Sequence, residues 1–174
     1  SGSGVRAQRT LVWVDRQGRE TPIPAPPRAY LNPRLSPDAR RVAVAALDQD
    51  NDIWGWDLGR TTLTRATFDP GLDTYPQWTP DGGRVLFSSE RTGGARNLYW
   101  QAADGTGAVE RLTESPNVQN AVAVTPDGRR LIFTETDPKT VEDVMQVELD
   151  GTHRVTPLVQ SPFAERNGIV SPDG

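Results

Sequence analysis

The sequence predicts an all-β fold built from repeated four-stranded antiparallel units, and three observations lead to this prediction. The 174 residues combine 35% hydrophobic residues with 16 Gly and 15 Pro, a composition typical of many short strands joined by tight turns. A Ser/Thr-Pro-Asp turn recurs four times, and its aspartates Asp38, Asp81, Asp127 and Asp173 are 43, 46 and 46 residues apart. No segment has a sustained helical period, because Pro or Gly interrupts every candidate.

The repeated turn has a physical explanation. Pro presets φ for the first central position of a type I turn, and the Asp carboxylate at the next position accepts bonds from nearby backbone N–H groups. Gly then takes the left-handed position that closes the hairpin. In the first copy Ala39 replaces this Gly, at a cost of about 1 kcal/mol if the backbone is left-handed there. The predicted turn residues are Pro37, Asp38, Pro80, Asp81, Gly82, Pro126, Asp127, Gly128, Pro172, Asp173 and Gly174.

Four strand types recur around the turn, in the chain order inner, second, third and outer. Inner strands are predicted before the turns, at Leu31–Leu35, Tyr75–Trp78, Ala121–Val124 and Asn167–Val170. Second strands follow the turns, at Arg41–Ala46, Arg84–Ser88 and Arg130–Thr134. Third strands are predicted at Thr10–Val14, Asp52–Trp56, Asn97–Gln101 and Asp143–Val147. Outer strands are predicted at Glu20–Pro24, Thr64–Thr67, Glu110–Thr113 and Arg154–Thr156.

A period of this length in strand-forming sequence is typical of β-propeller blades. We therefore predict a β-propeller of four-stranded antiparallel blades, with three complete blades and one split partial blade. Apolar residues on both strand faces indicate blades stacked face to face. The predicted domains are a linker-like tail at 1–8 and a partial propeller at 9–174, with the split blade at 9–27 and 164–174 and the complete blades at about 28–68, 72–114 and 117–160.

The split blade lacks a second strand, which leaves three possibilities for the ring. The chain is a piece of a longer propeller, or it closes alone as a small ring, or two copies join into a ring of about eight blades. Open strand edges and blade faces favour self-association of the isolated chain.

Charge and composition exclude several classes of partner and site. The net charge of −4 argues against a general nucleic-acid footprint, and no apolar run is long enough for membrane insertion. The absence of Cys excludes disulfides and thiolate zinc sites. We expect no cofactor, and the sequence leaves the cellular compartment open.

Catalytic motifs are absent from the sequence. It has no Gly-x-Ser-x-Gly elbow and no protein-kinase motif, and its one histidine, His153, is expected in a solvated turn. We therefore expect no enzymatic activity. The five tryptophans could stack on a ligand, but packing between blades is the favoured interpretation; they are Trp13, Trp54, Trp56, Trp78 and Trp100.

One acidic segment is a weak candidate for a metal site. Asp48, Asp50 and Asp52 have the spacing that opens a calcium-binding loop. Ile53 and Gly59 stand where a complete EF-hand loop has Gly and Glu. An acidic hairpin turn is the alternative interpretation.

The repeat motifs resemble a known family. The Ser/Thr-Pro-Asp-Gly-Arg turn, the third-strand start Asp52-Ile53-Trp54 and the outer-strand segment Arg111-Leu112-Thr113 resemble the TolB-type, WD-like propeller repeat over about residues 9–174. The stretch from Leu11 to Gly18, running into Pro33–Asp38, is similar to the start of propellers attached to bacterial Ser/Thr protein kinases.

This resemblance implies a non-catalytic protein-interaction or sensing scaffold. A protein or peptide partner would bind the loop face or the central channel, which the inner strands line. Two alternatives stay open: an accessory domain of a larger Ser/Thr kinase or peptidase, and an engineered propeller fragment made to study assembly.

Overall fold

The computed structural model describes residues 7–48, 51–165 and 168–171, which form β-strands, turns and irregular segments. None of these residues belongs to a helix long and apolar enough to cross a membrane. The described strands form one two-stranded and three four-stranded sheets, all antiparallel. We call the two-stranded sheet the half-blade; its strands are β1 (Val12–Val14) and β2 (Glu20–Pro22).

Each four-stranded sheet is one blade, and its strands pair in chain order. Blade 1 contains β3 (Tyr30–Leu35), β4 (Arg41–Ala46), β5 (Asp52–Asp57) and β6 (Thr62–Arg65). Blade 2 contains β7 (Asp73–Trp78), β8 (Arg84–Ser89), β9 (Asn97–Ala102) and β10 (Glu110–Arg111). Blade 3 contains β11 (Val118–Val124), β12 (Arg130–Thr136), β13 (Asp143–Glu148) and β14 (Val155–Val159). The architecture confirms the predicted all-β fold of a partial propeller.

Alternation of side chains along the second strand explains why the blades stack. In β4, Val42 and Val44 pack in the apolar cluster shared with the half-blade, whereas Ala43 and Ala45 pack in the cluster shared with blade 2. Successive residues of a strand point to opposite faces, so one strand supplies both interfaces. The whole strand from Val42 is buried, as a strand covered on both faces must be.

A backbone hydrogen bond recurs at every junction between neighbouring sheets. In the first three copies, the N–H of a residue near the start of an inner strand donates to a carbonyl of the segment before β1, β5 or β9, and in the fourth the N–H of Glu165 donates to the carbonyl before β13. The four donor–acceptor pairs are Arg28–Arg9 (3.2 Å), Asp73–Asn51 (2.9 Å), Gln119–Arg96 (2.9 Å) and Glu165–Glu142 (2.8 Å). The fourth pair shows that the chain after blade 3 begins to dock as a further blade would.

Two predicted strands differ from the structure. The fourth inner strand, expected at 167–170, is not formed by residues 168–170, and Asn167 lies outside the described residues. A strand needs a ladder partner, and none of the described strands pairs with this segment. The part of the predicted split blade at 164–174 that the structure describes is therefore limited to residues 164–165 and 168–171, none of which forms a strand.

The outer strand of blade 3 is also displaced from the predicted alignment. Arg65 of blade 1 lies opposite Trp54, and Arg111 of blade 2 lies opposite the corresponding Tyr99. In blade 3 the matching Met145 faces Pro157. The predicted equivalence of Arg154–Thr156 with the other Arg-x-Thr segments is wrong by three residues, because this segment lies closer to the hairpin loop, where Thr156 pairs with Gln146.

Candidate functional site

The repeated turns have one geometry in the three copies that the structure describes. The N–H of Ala39, Gly82 or Gly128 donates to the carbonyl three residues earlier at 2.8 Å. The φ angles of these residues are 55°, 67° and 71°. The fourth copy, Pro172, Asp173 and Gly174, lies outside the described residues.

Ala39→Gly is expected to raise the free energy of unfolding by about 1 kcal/mol, because Ala39 has the left-handed φ that penalises a Cβ. Gly82→Ala is the matched reverse change and should cost about as much, because Gly82 has a φ of 67° and the added Cβ would make only an ordinary contact with Pro37 at 3.8 Å. Urea unfolding of both variants measures this, and two shifts of the same sign would contradict it.

The turn carboxylates are held by local hydrogen bonds. The hydroxyl of Ser36 donates to Asp38 at 2.6 Å, and Thr79 and Thr125 do the same for Asp81 and Asp127. These hydroxyl bonds, followed by backbone N–H bonds, hold the pKa of each carboxyl below its ordinary value of 3.8.

Acid should therefore weaken the fold through these turns. A carboxyl whose folded pKa is depressed adds stability above its unfolded pKa, and that contribution is lost as pH falls through the folded pKa. The triple variant Asp38→Asn, Asp81→Asn and Asp127→Asn should show a smaller drop in urea midpoint between about pH 7 and about pH 3 than the unmodified chain. An equal drop in both proteins would refute the assignment.

A buried threonine connects the third and outer strands and reaches the next blade. In blade 1, the Thr67 hydroxyl accepts the Ile53 N–H at 2.9 Å and donates to Asp52 Oδ1 at 2.9 Å. Arg65 donates to the Thr67 carbonyl and forms an ion pair with the Asp52 carboxylate. Burial raises the pKa of Asp73, the first residue of blade 2, although Thr67, Ser89 and Arg91 act in the opposite direction.

Blade 2 repeats this arrangement with different side chains. The Thr113 hydroxyl accepts the Leu98 N–H and donates to Gln119 of blade 3. Arg111 donates both to the Thr113 carbonyl and to Asn97, the counterpart of Asp52. Blade 3 lacks the arginine because Pro157 occupies its position.

The structure describes two of the three aspartates in the predicted metal site. Asp48 accepts two hydrogen bonds of 2.6 Å from the Arg28 guanidinium. Asp52 is fully buried and bonds to Thr67 and Arg65. Asp50 lies outside the described residues. Each of the two described carboxylates thus has an arginine partner, and the metal site stays a prediction.

The tryptophans divide into packing and surface positions. Trp56 is buried between the half-blade and blade 1, as packing between blades requires. Trp54, Trp78 and Trp100 are half-buried, and an arginine covers each ring at 4.0, 4.7 and 3.9 Å. Trp13 is 44% exposed.

His153 does not lie in a solvated turn, and that expectation is wrong. Its side chain is only 20% exposed and meets the Trp100 ring edge-on, with centroids 6.2 Å apart. Its Nε2 lies 3.6 Å from Glu110. The loop between β13 and β14 carries this histidine against blade 2.

The inner strands line a cavity of 670 Å³. Its walls come from β3, β7 and β11, together with residues 168–170. Each strand has an irregular register here, and Asn32 and Tyr75 adopt φ angles of 51° and 54°. Bulges of this kind turn side chains out of the regular alternation, which changes the side chains that the inner strands direct into the cavity.

Polar groups without a protein partner converge on this cavity. Arg34 Nε donates to Gln77 Oε1 at 3.2 Å, which leaves Gln77 Nε2 buried and without an acceptor among the described residues. Asn120 Oδ1 is likewise buried and receives no donor from the part of the chain described. Sequence reasoning named the inner strands as the channel lining but did not select these three side chains.

Comparison with known proteins places the repeat in a family. A family model described as TolB beta propeller domain matches residues 10–174. Over 47 residues, 27% of this chain and 10% of the relative, the sequence is 43% identical to the Tol-Pal system protein TolB of Bordetella pertussis. The chain thus spans about a tenth of the length of this curated relative.

Solved structures show the same fold. TolB from Acinetobacter baumannii matches with a TM-score of 0.73 and 25% identity, over 86% of this chain and 37% of that chain. A structure from an analysis of two prolyl endopeptidases matches with a TM-score of 0.63 and 16% identity, over 90% of this chain and 27% of that chain. The second similarity concerns the fold alone.

Proposed function

The chain belongs to the TolB β-propeller family, and from this premise we propose that it is a non-catalytic scaffold that binds a protein segment on its inner strands. The cavity between β3, β7 and β11 carries this proposal. It has the volume of a ligand pocket and combines apolar walls with a few convergent polar groups. Because the inner strands run side by side along it, an extended peptide fits its shape better than a compact molecule.

The surroundings of His153 support a non-catalytic role. A nucleophilic site needs a hydroxyl or thiol next to a base. His153 contacts Trp100 and Glu110, both in the outer part of blade 2, and these contacts hold neighbouring blades together. The sequence contains no cysteine and no second histidine that could act as the base.

Selection from a random dodecapeptide phage library on the immobilised chain tests the proposed function. Selected peptides should bind in solution by calorimetry, and Ala123→Trp should abolish binding because Ala123 lines the cavity. Ala108→Trp is the matched control, since Ala108 is exposed away from the cavity lining. Selected peptides that bind both variants equally, or a selection that yields none, would contradict the proposal.

We also propose that a second copy of the chain covers the open ends of the arc. Leu112, directly after the outer strand of blade 2, is 2% exposed, whereas Leu158 and Val159 in the outer strand of blade 3 are 52% and 48% exposed. At the other end, Val14 is 60% exposed while its counterpart Trp56 is 3% exposed. Faces that blades 1 and 2 bury against a neighbour are thus open at both ends.

The mass in solution tests this second proposal. Light scattering should give a multiple of the 19.1 kDa chain mass, and Leu158→Asp should shift the population to monomer because it charges an open face. A monomer with an ordinary cooperative melt would overturn self-association without affecting peptide binding.

A further inference from the structure

One position of the repeat on the inner strands, called a level below, carries a different side chain in each blade. Arg34, Gln77, Ala123 and Ile169 each lie two residues before the Ser or Thr of a repeated turn. All four line the cavity. Blades 1 and 2 therefore contribute a charged and an amide side chain at this level, whereas blade 3 and the segment after it contribute aliphatic ones.

The polar half of this level includes a buried donor, Gln77 Nε2, that has no acceptor among the described residues. Gln77 is 6% exposed, and its Oε1 is taken by Arg34, so its Nε2 must find an oxygen outside the described protein groups. Arg34 has no carboxylate within ion-pair distance among the described residues. The indole N–H of Trp78 donates to the backbone carbonyl of Arg34 at 3.0 Å. A guanidinium beside an amide N–H is a favourable place for a carboxylate, because charge-assisted bonds are the stronger ones.

The other residues that line the cavity indicate which chemical groups of the ligand lie next to its carboxylate. Ala123 and Ile169 are aliphatic, and Ile169 is 93% exposed, so they favour an aliphatic group on the ligand. Asn120 Oδ1 is a buried acceptor and calls for a donor such as a peptide N–H.

We infer that this surface selects a peptide carboxylate, bound by Arg34 and Gln77, with a neighbouring aliphatic group on Ala123 and Ile169. The ligand class rests on the proposed peptide-binding function of the same cavity. Either an acidic side chain or a C-terminal carboxylate supplies the required chemistry.

Synthetic versions of the library-selected peptides test the carboxylate preference. Each peptide is made unmodified, with its acidic residue changed to the amide, and with an amidated C-terminus, which separates the two sources of carboxylate. On the unmodified chain one of these changes should weaken binding by about tenfold or more in fluorescence anisotropy. With Arg34→Met the same change should cost less than about twofold, and Arg34→Lys should retain part of the discrimination.

Two further variants separate recognition from misfolding. Gln77→Glu would place a carboxylate next to Arg34 and should displace the peptide's own carboxylate, so its preference should vanish. Arg40→Met removes an exposed arginine of the same blade and should leave the preference unchanged. Circular dichroism melts verify that each variant is folded.

The outcomes distinguish the inference from the function on which it rests. Two results overturn the carboxylate inference alone: peptides that bind at the cavity and keep their affinity when their carboxylate is removed, and selected peptides that carry Lys in place of an acidic group. Peptides whose binding is insensitive to Ala123→Trp overturn the proposed function itself.

Discussion

Phe87→Ala is expected to lower the free energy of unfolding by about 3–5 kcal/mol. The Phe87 ring is fully buried, stacks on Tyr99 with centroids 6.3 Å apart, and lies in the apolar cluster that joins blades 1 and 2. Ala43 and Ala45 of blade 1 belong to the same cluster. Because methyl groups on a paired strand cannot extend into the space, the cavity left by the ring would stay largely open.

Phe68→Ala provides the matched control for this experiment. Phe68 is 68% exposed, and its replacement should change stability by less than about 1 kcal/mol. Urea unfolding of both variants measures the difference. If Phe87→Ala proves too unstable to measure, Phe87→Leu should cost less than about 2 kcal/mol and preserve the comparison. Equal losses for Phe87 and Phe68 would mean that the blades are not held by this cluster.

The propeller architecture could be predicted because three local signals agree. The turn chemistry marks each hairpin, the alternation of β4 shows two buried faces, and the spacing sets the repeat. Each signal depends on residues close together in sequence. The displacement in blade 3 depends instead on which residues of β13 and β14 pair, and register is specified weakly where an edge strand has only one neighbour.

The cavity residues could be predicted only in part. Arg34 and Gln77 occupy one repeat position, two residues before the turn, so aligning the repeats would have identified them as a variable position on a common level. Their mutual hydrogen bond and the unused Gln77 Nε2 could not be inferred, because the inner-strand bulges decide which side chains reach the cavity. The burial of His153 could not be inferred for a similar reason, since its contact with Trp100 joins two blades.

Thr67→Val should lower the free energy of unfolding by about 2–4 kcal/mol, because an unsatisfied buried polar group costs about 1–3 kcal/mol. The change preserves shape but removes the hydroxyl that accepts the Ile53 N–H and donates to Asp52. Thr67 is 2% exposed, so water cannot replace these bonds without opening the junction between blades 1 and 2.

The repeat supplies both a replicate and a control for this change. Thr113→Val removes the corresponding hydroxyl in blade 2 and should cost a similar amount, since that hydroxyl also accepts a backbone N–H and donates to a buried side chain, here Gln119 of blade 3. Thr64→Val alters an exposed position of β6 and should stay within about 0.5 kcal/mol. Urea unfolding of the three variants gives the comparison.

Comparing the changes in the free energy of unfolding of these variants distinguishes two explanations of how the blades are held together. If apolar stacking alone determines the junction, Thr67→Val should be neutral or slightly stabilising, because valine adds a methyl group to a buried site. If the hydroxyl bridge contributes, both buried variants should lose stability while Thr64→Val does not. We expect the second result, because the cost of an N–H left unsatisfied in a dry junction exceeds the gain from burying one methyl group.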